Sequence, residues 1–243
     1  MDFKPTPLKT ILHKADTRGH IQHGWLDTYH SFSFGDYHDA SRMGFGALRV
    51  LNDDIIAAGQ GFGAHPHANI EIITIPLEGA LAHRDSMGNE EVLSAGAIQV
   101  MSAGSGIAHS EYNASEAIPV KLLQIWILPH QQDVTPRYAD IIFAPEGRQN
   151  KWQQIVGPHR THEGAWIHQD AWLSLGAFTA ETPIEYAIKK PGNGAYVFMI
   201  SGEAYIGDQT LHARDGYGVW DTPTVPIIAG AASEILIIEV PMG

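Results

Sequence analysis

Short apolar runs recur along the chain, separated by Gly, Pro, Asn and Asp at intervals of roughly 8–12 residues. This pattern is typical of β-sandwiches and β-barrels. Runs rich in Val, Ile, Phe, Tyr and Trp predict strands at Gly44–Leu51, Ile70–Pro76, Ala97–Met101, Val120–Leu128, Ala195–Ile200, Tyr217–Trp220 and Ile235–Val240. Helical periodicity is weak, and only Asp133–Ile142 or Glu146–Val156 offers room for a short helix. The sequence therefore predicts a mostly β protein.

The two halves of the chain repeat one order of features. Each half has a strand, a Gly turn, a second strand, a Gly-rich corner and a hydrophobic closing strand, with the corners at Ala95–Gly96 and Asp215–Gly216. Any two antiparallel meanders share part of this order, so the matched corners carry the argument for a true duplication. We expect two tandem jelly-roll-like β-barrels, residues 1–135 and residues 136–243, with a boundary near Thr135.

The composition excludes several classes of protein. With 27 acidic and 15 basic residues, the formal net charge of −12 repels nucleic-acid backbones and anionic lipid surfaces. The chain has no cysteine, which excludes disulfides, thiolate metal sites and cysteine nucleophiles. No apolar run approaches the ~18 residues of a membrane span or forms a signal-peptide core. We expect a cytoplasmic monomer with no nucleic-acid or membrane partner.

Two histidines, His65 and His67, flank a proline just before a predicted strand. Side chains two residues apart in an extended chain point to the same side, and Pro66 favours that geometry in His65. Because Pro66 also forfeits a ladder hydrogen bond, the pair should lie at the start or edge of a strand. Such a pair standing alone is usually surface histidine, so it does not define a site by itself.

A second pair with the same spacing, His109 and Glu111, follows in the same half of the chain. If the two strands are neighbours in one barrel, three neutral imidazoles and one carboxylate converge. These N and O ligands suit a borderline divalent ion and leave one or two positions of an octahedral ion open. We therefore predict one divalent transition metal per chain, bound by His65, His67, His109 and Glu111, with Fe, Cu, Mn, Co, Ni and Zn all compatible.

The second half offers no equivalent set of ligands. Ile188 and Lys190 fall near the positions of the first pair, and Ile227–Ala229 is apolar where the second pair would lie. The C-terminal barrel is therefore expected to carry no metal. Its expected role is structural, covering the edge strands of the first barrel.

The ligand pairs lie within segments that resemble the two cupin motifs and, more closely, the pirin family of bicupins. The resemblance is carried by HGWLDTYHSFSFGDYHD, GFGALRVLNDD, GQGFGAHPHANIEIITIPLEG and MSAGSGIAHSEYN, which span His23–Asp39, Gly44–Asp54, Gly59–Gly79 and Met101–Asn113. Bacterial pirin-like quercetinases are the most similar members, and the second half resembles the family's degenerate second cupin. The resemblance implies two cupin barrels and the same four ligands.

The family patterns disagree about a second carboxylate, Glu71. It occupies the carboxylate position of the general cupin pattern, whereas the pirin pattern implies that Glu111 binds the metal. We expect Glu71 either to orient a ligand histidine from behind or to have no role at the rim. Candidates for the substrate pocket are Phe34, Phe45 and Trp126, with burial in the core as the competing interpretation. The aromatic N-terminal block is expected to be structural and comprises His20, His23, Trp25, His30, Phe32 and Phe34.

The resemblance implies a metal-dependent dioxygenase that cleaves a flavonol such as quercetin with O2 and releases CO. A metal with open positions would lower the pKa of the substrate's 3-hydroxyl group, and Glu111 is the candidate base for its proton. Two alternatives stay open. One is a non-catalytic, metal- and redox-dependent regulator of the pirin type, and the other is a cupin enzyme with a different substrate.

Overall fold

The computed structural model describes residues 9–158 and 165–243. Strands dominate these ranges, which confirms the prediction of a mostly β protein. Helical structure within them is limited to two 3-10 turns, Ala15–Thr17 and Pro145–Gly147. In the part of the chain described, no helix has the length and hydropathy needed to span a bilayer.

Twenty-two strands follow one another within the described residues. The strands of the first part are β1 (Lys9–His13), β2 (Gly19–Gln22), β3 (Leu26–His30), β4 (Leu48–Ile56), β5 (Gly61–His67), β6 (Glu71–Glu78), β7 (Ala80–Asp85), β8 (Glu90–Ser94), β9 (Ala97–Ser102), β10 (Ile107–Asn113), β11 (Val120–Ile127) and β12 (Arg137–Ile142). Those of the second part are β13 (Gln153–Gly157), β14 (Ala165–Trp166), β15 (Trp172–Phe178), β16 (Thr182–Ala187), β17 (Asn193–Ser201), β18 (Glu203–Ile206), β19 (Gln209–His212), β20 (Gly216–Trp220), β21 (Thr224–Ala229) and β22 (Ser233–Pro241).

The strands form two barrels of matching construction. In the N-terminal barrel, a seven-stranded sheet with the order β12-β9-β6-β11-β4-β3-β2 faces a four-stranded sheet with the order β5-β10-β7-β8. The C-terminal barrel has a seven-stranded sheet, β1-β20-β17-β22-β15-β13-β14, and a four-stranded sheet, β16-β21-β18-β19. This repeated arrangement confirms the expectation of two tandem cupin barrels.

Each barrel takes one strand from the other half of the chain. Strand β1 pairs with β20 of the C-terminal barrel, from Lys9 opposite Trp220 to His13 opposite Gly216. Strand β12 begins just after Thr135 and pairs with β9 of the N-terminal barrel. The domain boundary near Thr135 stays a prediction. The seven-stranded sheet of each barrel includes one strand from the other side of this boundary.

Two local predictions differ from the structure. The strand predicted at Gly44–Leu51 is Leu48–Ile56, because the strand continues through the buried polar residues Asn52 and Asp54, where the apolar run ends. The segment Asp133–Ile142, considered for a short helix, holds β12, whose backbone pairs antiparallel with β9. The other segment considered for a helix contains most of a 3-10 turn and then β13.

An apolar core lies between the two barrels. Ile73 and Ile75 of β6 belong to the same buried cluster as Leu236 and Ile238 of β22. Because successive residues of a strand point to opposite faces, the residues between them on β6 turn into the N-terminal barrel. Thr74, for example, hydrogen-bonds within that barrel. This alternation determines which side chains can reach the interior site.

Candidate metal centre

Strands β5 and β10 bring three of the four predicted ligands, His65, His67 and His109, into one group. They pair antiparallel, with His65 directly opposite His109 and His67 opposite Ile107. The ring centroids of His65 and His109 lie 4.5 Å apart, and those of His67 and His109 lie 4.9 Å apart. A register shift between His109 and Glu111 follows on β10. The condition on which the predicted site depends, two neighbouring strands in one barrel, is therefore met.

The three imidazoles have the chemistry and spacing of a metal centre. Ligand atoms of His65, His67 and His109 all lie within 4.8 Å of one another. Both ring nitrogens of His109 are buried without a hydrogen-bond partner, which is costly unless another group engages a lone pair. Burial, helped by the neighbouring histidines, lowers the pKa of His67 to about 4 and that of His109 to about 3. Neutral rings of this kind can ligate one transition-metal ion.

A backbone contact sets the orientation of His65. Its Nδ1 lies 2.8 Å from the carbonyl oxygen of Gly63. If Nδ1 carries the proton and donates to that oxygen, the lone pair is on Nε2. This tautomer leaves Nε2 available to a metal ion, and a ligating histidine usually has such a second contact on its other nitrogen.

The fourth predicted ligand, Glu111, has a carboxylate oxygen within 4.8 Å of ligand atoms of His109 and His83, and it is not grouped with His65 and His67. Its carboxylate accepts hydrogen bonds from Gln124 Nε2 at 2.9 Å, Thr74 Oγ1 at 3.4 Å and Gln99 Nε2 at 3.5 Å. Burial raises the pKa of Glu111 to about 7; these hydrogen bonds oppose the shift and the negative charge of Asp54 adds to it. The carboxylate is thus held in place by three neutral donors.

A further histidine, His83, is buried beside this group and was missed by the sequence analysis. It is opposite Glu111 on β7, and its ligand atom lies within 4.8 Å of those of His109 and Glu111. Its Nε2 is 3.4 Å from Asp85 Oδ2, and its ring stacks on Tyr138 at 4.7 Å. His83 and Asp85 have the same two-residue spacing as the ligand pairs, which is the signal that could have identified them.

A cavity of about 670 Å³ opens beside the histidines. Its volume is in the range of roughly 300–1,000 Å³ that small-molecule sites occupy. Trp126 forms part of the wall, with ring centroids 4.9 Å from His67 and 5.1 Å from Phe34 in edge-to-face contacts. Trp25 and Phe62 line the cavity as well. A planar aromatic ligand can therefore pack directly against the histidine cluster.

Of the three candidate pocket residues, Phe34 and Trp126 line this cavity and Phe45 does not. Phe45 lies in the core between the barrels, with its ring centroid 5.5 Å from that of Tyr196 and 5.8 Å from that of Trp220. The placement of Phe45 in the pocket is thus corrected in favour of the competing interpretation. Its bulk fills the core instead.

Glu71 also lies away from the cavity. Its neighbour on β6, Ile72, lines the cavity, and successive residues of a strand face opposite sides. The Glu71 carboxylate accepts a hydrogen bond from Ser102 Oγ at 2.6 Å, and burial raises its pKa to about 7. Because Glu71 faces the side of the second barrel, the expected orienting contact with a ligand histidine has no geometric basis.

The N-terminal block contributes more to the cavity than a structural role requires. His23, Trp25, His30 and Phe34 all line it, whereas Phe32 is buried in the core between the barrels. Burial lowers the pKa of His30 to about 4, although a backbone contact with Phe34 partly opposes the shift. A neutral imidazole is thus part of the cavity wall.

The tandem barrels and the histidine cluster define the class of protein: a bicupin with one candidate transition-metal centre in its N-terminal barrel. The family described as Pirin matches residues 12–127, and the family described as Quercetinase C-terminal cupin domain matches residues 154–240. The chain belongs to the pirin family.

Curated bacterial proteins are similar to the chain along almost its whole length. Identity to quercetin 2,3-dioxygenase from Escherichia coli (strain K12) is 42% over 231 residues, which cover 95% of this chain and 98% of that protein. Identity to a putative quercetin 2,3-dioxygenase from Pseudomonas aeruginosa is 42% over 226 residues, 93% of this chain and 97% of that protein. The chain is accordingly a quercetin 2,3-dioxygenase-like member of its family.

A solved structure agrees with this assignment. Bacterial pirin YhhW from Escherichia coli in complex with nickel(II) matches with a TM-score of 0.91 at 41% identity. The match covers 97% of this chain and 100% of that chain. The likeness therefore extends over both barrels.

Proposed function

We propose that this chain is a metal-dependent dioxygenase that cleaves a flavonol such as quercetin with O2 and releases CO. The observation that carries the proposal is the contact between the histidine cluster and the aromatic cavity, where His67 meets Trp126 with ring centroids 4.9 Å apart. A planar substrate in the cavity lies against the atoms that can ligate a metal. Relatives named quercetin 2,3-dioxygenase support the substrate class.

His65, His67, His109 and Glu111 are the proposed ligands of one divalent metal. When bound, this ion supplies a Lewis acid that lowers the pKa of a coordinated hydroxyl group. Iron, copper, manganese, cobalt, nickel and zinc are all compatible with imidazole and carboxylate ligands. Nickel is the ion named for the matched Escherichia coli structure.

Glu111 is also the proposed base for the proton of the substrate's 3-hydroxyl group. Its carboxylate lines the cavity, and Gln124 and Thr74 hold it there by hydrogen bonds. A general base must lie within hydrogen-bond reach of the proton it accepts, and this carboxylate is at the wall that the substrate meets. Its fixed position supports the role.

The aromatic wall is proposed to position the substrate and to exclude water. Phe34 and Trp126 meet edge to face, with ring centroids 5.1 Å apart, so their surfaces enclose one side of the cavity. Planar rings pack favourably against such surfaces. Holding the substrate in one orientation brings its reacting carbon to the same place in each binding event.

The test is elemental analysis of the purified protein, followed on the same sample by measurement of oxygen uptake and CO release with quercetin. About one metal per chain together with oxygen-linked loss of quercetin supports the proposal. Metal without turnover favours a regulatory protein of the pirin type or another substrate. Turnover without oxygen consumption favours another cupin reaction, and a metal-free protein that still turns over quercetin overturns the metal site.

We further propose that the protein acts as a monomer in the cytoplasm, with the flavonol and O2 as its small-molecule partners. The net charge of −12 supports the absence of a nucleic-acid partner, because it repels phosphate groups. Light scattering after size-exclusion chromatography tests the monomer, for which we expect a mass near 26.5 kDa.

A further inference from the structure

A row of polar side chains crosses the N-terminal barrel. The strand register places one polar residue from each of five neighbouring strands side by side, in the order Gln99, Thr74, Gln124, Asn52 and His30. All five are buried. Burial of polar groups costs free energy unless they form hydrogen bonds, so a row of this length implies that its members have partners.

Three of the five members of the row share one partner. Gln99, Thr74 and Gln124 donate the hydrogen bonds that hold the carboxylate of Glu111. These three residues therefore belong to the candidate metal centre.

The other two members of the row, Asn52 and His30, face the cavity. Both residues line it, and the amide oxygen of Asn52 is buried without a hydrogen-bond partner. In the adjoining row, Asp54 lies opposite Thr28, accepts a hydrogen bond from its hydroxyl group and lines the same cavity. These four residues, Thr28, His30, Asn52 and Asp54, are called the polar recess below.

The polar recess is suited to neutral polar groups. Its amide, hydroxyl and neutral imidazole can each take part in hydrogen bonds without a full charge. Burial holds the pKa of Asp54 at about 7, so part of its population carries a proton at neutral pH. A phenolic hydroxyl group, which both donates and accepts, can match any of these partners.

The recess is within reach of a ligand bound at the histidines. Gln124 and His30 are separated by two strand spacings, roughly 10 Å across the sheet. Gln124 itself hydrogen-bonds Glu111 at 2.9 Å. A fused-ring aromatic molecule with one end at the metal centre thus places its other end near the recess.

We propose that the polar recess recognises the hydroxyl groups of an aromatic ring held away from the metal, so that the site selects polyhydroxylated aromatic molecules. This inference rests on the proposed function for the placement of the other end of the substrate at the metal centre. Asn52 is the central determinant, because it lies between Gln124 and His30 in the row and its amide oxygen, like Nδ1 of His30, is buried without a partner.

Binding of non-substrates tests the inference separately from turnover. Luteolin, chrysin and unsubstituted flavone share one ring system, lack the 3-hydroxyl group and differ in the hydroxyl groups of their outer rings. Their dissociation constants can be measured on the metal-loaded protein by quenching of the fluorescence of Trp25 and Trp126 in the cavity wall. We expect luteolin to bind at least roughly 10-fold more tightly than flavone. Flavone has no hydroxyl group for the buried polar groups of the recess, and leaving them without a partner is costly.

Two variants assign that preference to the recess. Asn52→Leu should reduce the preference for luteolin to less than about 3-fold, because the amide is gone. Ile21→Val is the matched control, since Ile21 lines the cavity with apolar surface alone and should weaken all three flavones by a similar factor. Thermal unfolding of each variant checks that it folds.

The outcomes separate this inference from the proposed function. Turnover of quercetin by a protein that binds all three flavones equally overturns the inference and leaves the enzyme. An Asn52→Leu variant that folds and keeps the full preference also overturns it. The third outcome is a wild-type protein that does not turn over quercetin and that prefers luteolin, with the preference lost in Asn52→Leu. This outcome overturns the proposed function and supports the recess as a binding site for hydroxylated aromatics.

Discussion

His65 lies directly opposite His109 in the ladder of β5 and β10, with ring centroids 4.5 Å apart. Each of the two strands therefore contributes to one cluster, and loss of either imidazole should disrupt it. We expect His109→Ala to retain less than about a tenth of the wild-type metal and to lose activity with it. Elemental analysis after dialysis checks this. His38→Ala, which changes an exposed histidine outside the cluster, should keep its metal.

The carboxylate of Glu111 accepts hydrogen bonds from three neutral groups. Glu111→Gln places an amide there, which removes the negative charge and turns one accepting oxygen into a donor. We expect turnover of quercetin to fall by roughly 100-fold or more, as for loss of a general base. Steady-state kinetics and metal content are the measurements. Unchanged kcat in this variant would exclude Glu111 as base.

Glu71 faces away from the cavity and accepts a hydrogen bond from Ser102. Glu71→Gln keeps the shape of the side chain and an oxygen for that bond. Metal content and kcat should therefore stay within about 2-fold of wild type, a change of under ~0.5 kcal/mol. Metal loss as large as that of His65→Ala would contradict this geometry and restore Glu71 as a ligand.

Two phenylalanines near each other in sequence should behave differently. Phe34 lines the cavity, so Phe34→Ala should raise KM for quercetin by roughly 10-fold, with a small change in stability. Phe45 is buried between the barrels, so Phe45→Ala should lower the free energy of unfolding by about 3–5 kcal/mol. Kinetics and urea unfolding on both variants separate the two roles. A larger KM effect for Phe45→Ala would contradict the assignment.

The buried carboxyl of Asp54 predicts a pH dependence of stability. Burial raises its pKa from an ordinary 3.8 to about 7, so the native state keeps the proton to a higher pH than the unfolded chain does. The native state therefore loses stability as pH rises from 3.8 to about 7, and is least favoured above that range.

Asp54→Asn removes this titration. The variant should be more stable than wild type at pH 8, by on the order of 1–4 kcal/mol, and close to wild type at pH 4. Urea unfolding at both pH values measures the difference. Asp208→Asn, an exposed position, is the control and should show no such change. A stability difference that grows as pH falls would contradict the sign.

The candidate metal ligands could be identified from sequence because their geometry is local. Residues two apart on a strand share a face, and Pro66 favours extended geometry in His65. The His65 and His67 pair and the His109 and Glu111 pair therefore each required only one strand. His83 has the same local spacing with Asp85, yet it lies outside the four segments that carry the family resemblance. Its place opposite Glu111 is set by the pairing of β7 with β10.

The polar row could not be seen in the sequence, because its members come from five strands spread over most of the first half. Asn52 and Asp54 even ended the predicted strand, since their polarity interrupts the apolar run. The side of the sheet to which Glu71 points could not be predicted from the sequence either. Both faces of β6 are buried, so its sequence does not alternate between apolar and polar residues. Register and two-sided burial are tertiary properties that a local pattern does not contain.

The reciprocal placement of β1 and β12 limits how this chain can be divided. A fragment that stops at residue 135 would lack β12 and leave the edge of β9 open, and a fragment that starts there would lack β1 and leave β20 open. Open edges invite intermolecular pairing. Neither half is thus a natural unit for expression or for recombination with other proteins. The barrel that holds the histidines should melt together with its partner in a single cooperative transition.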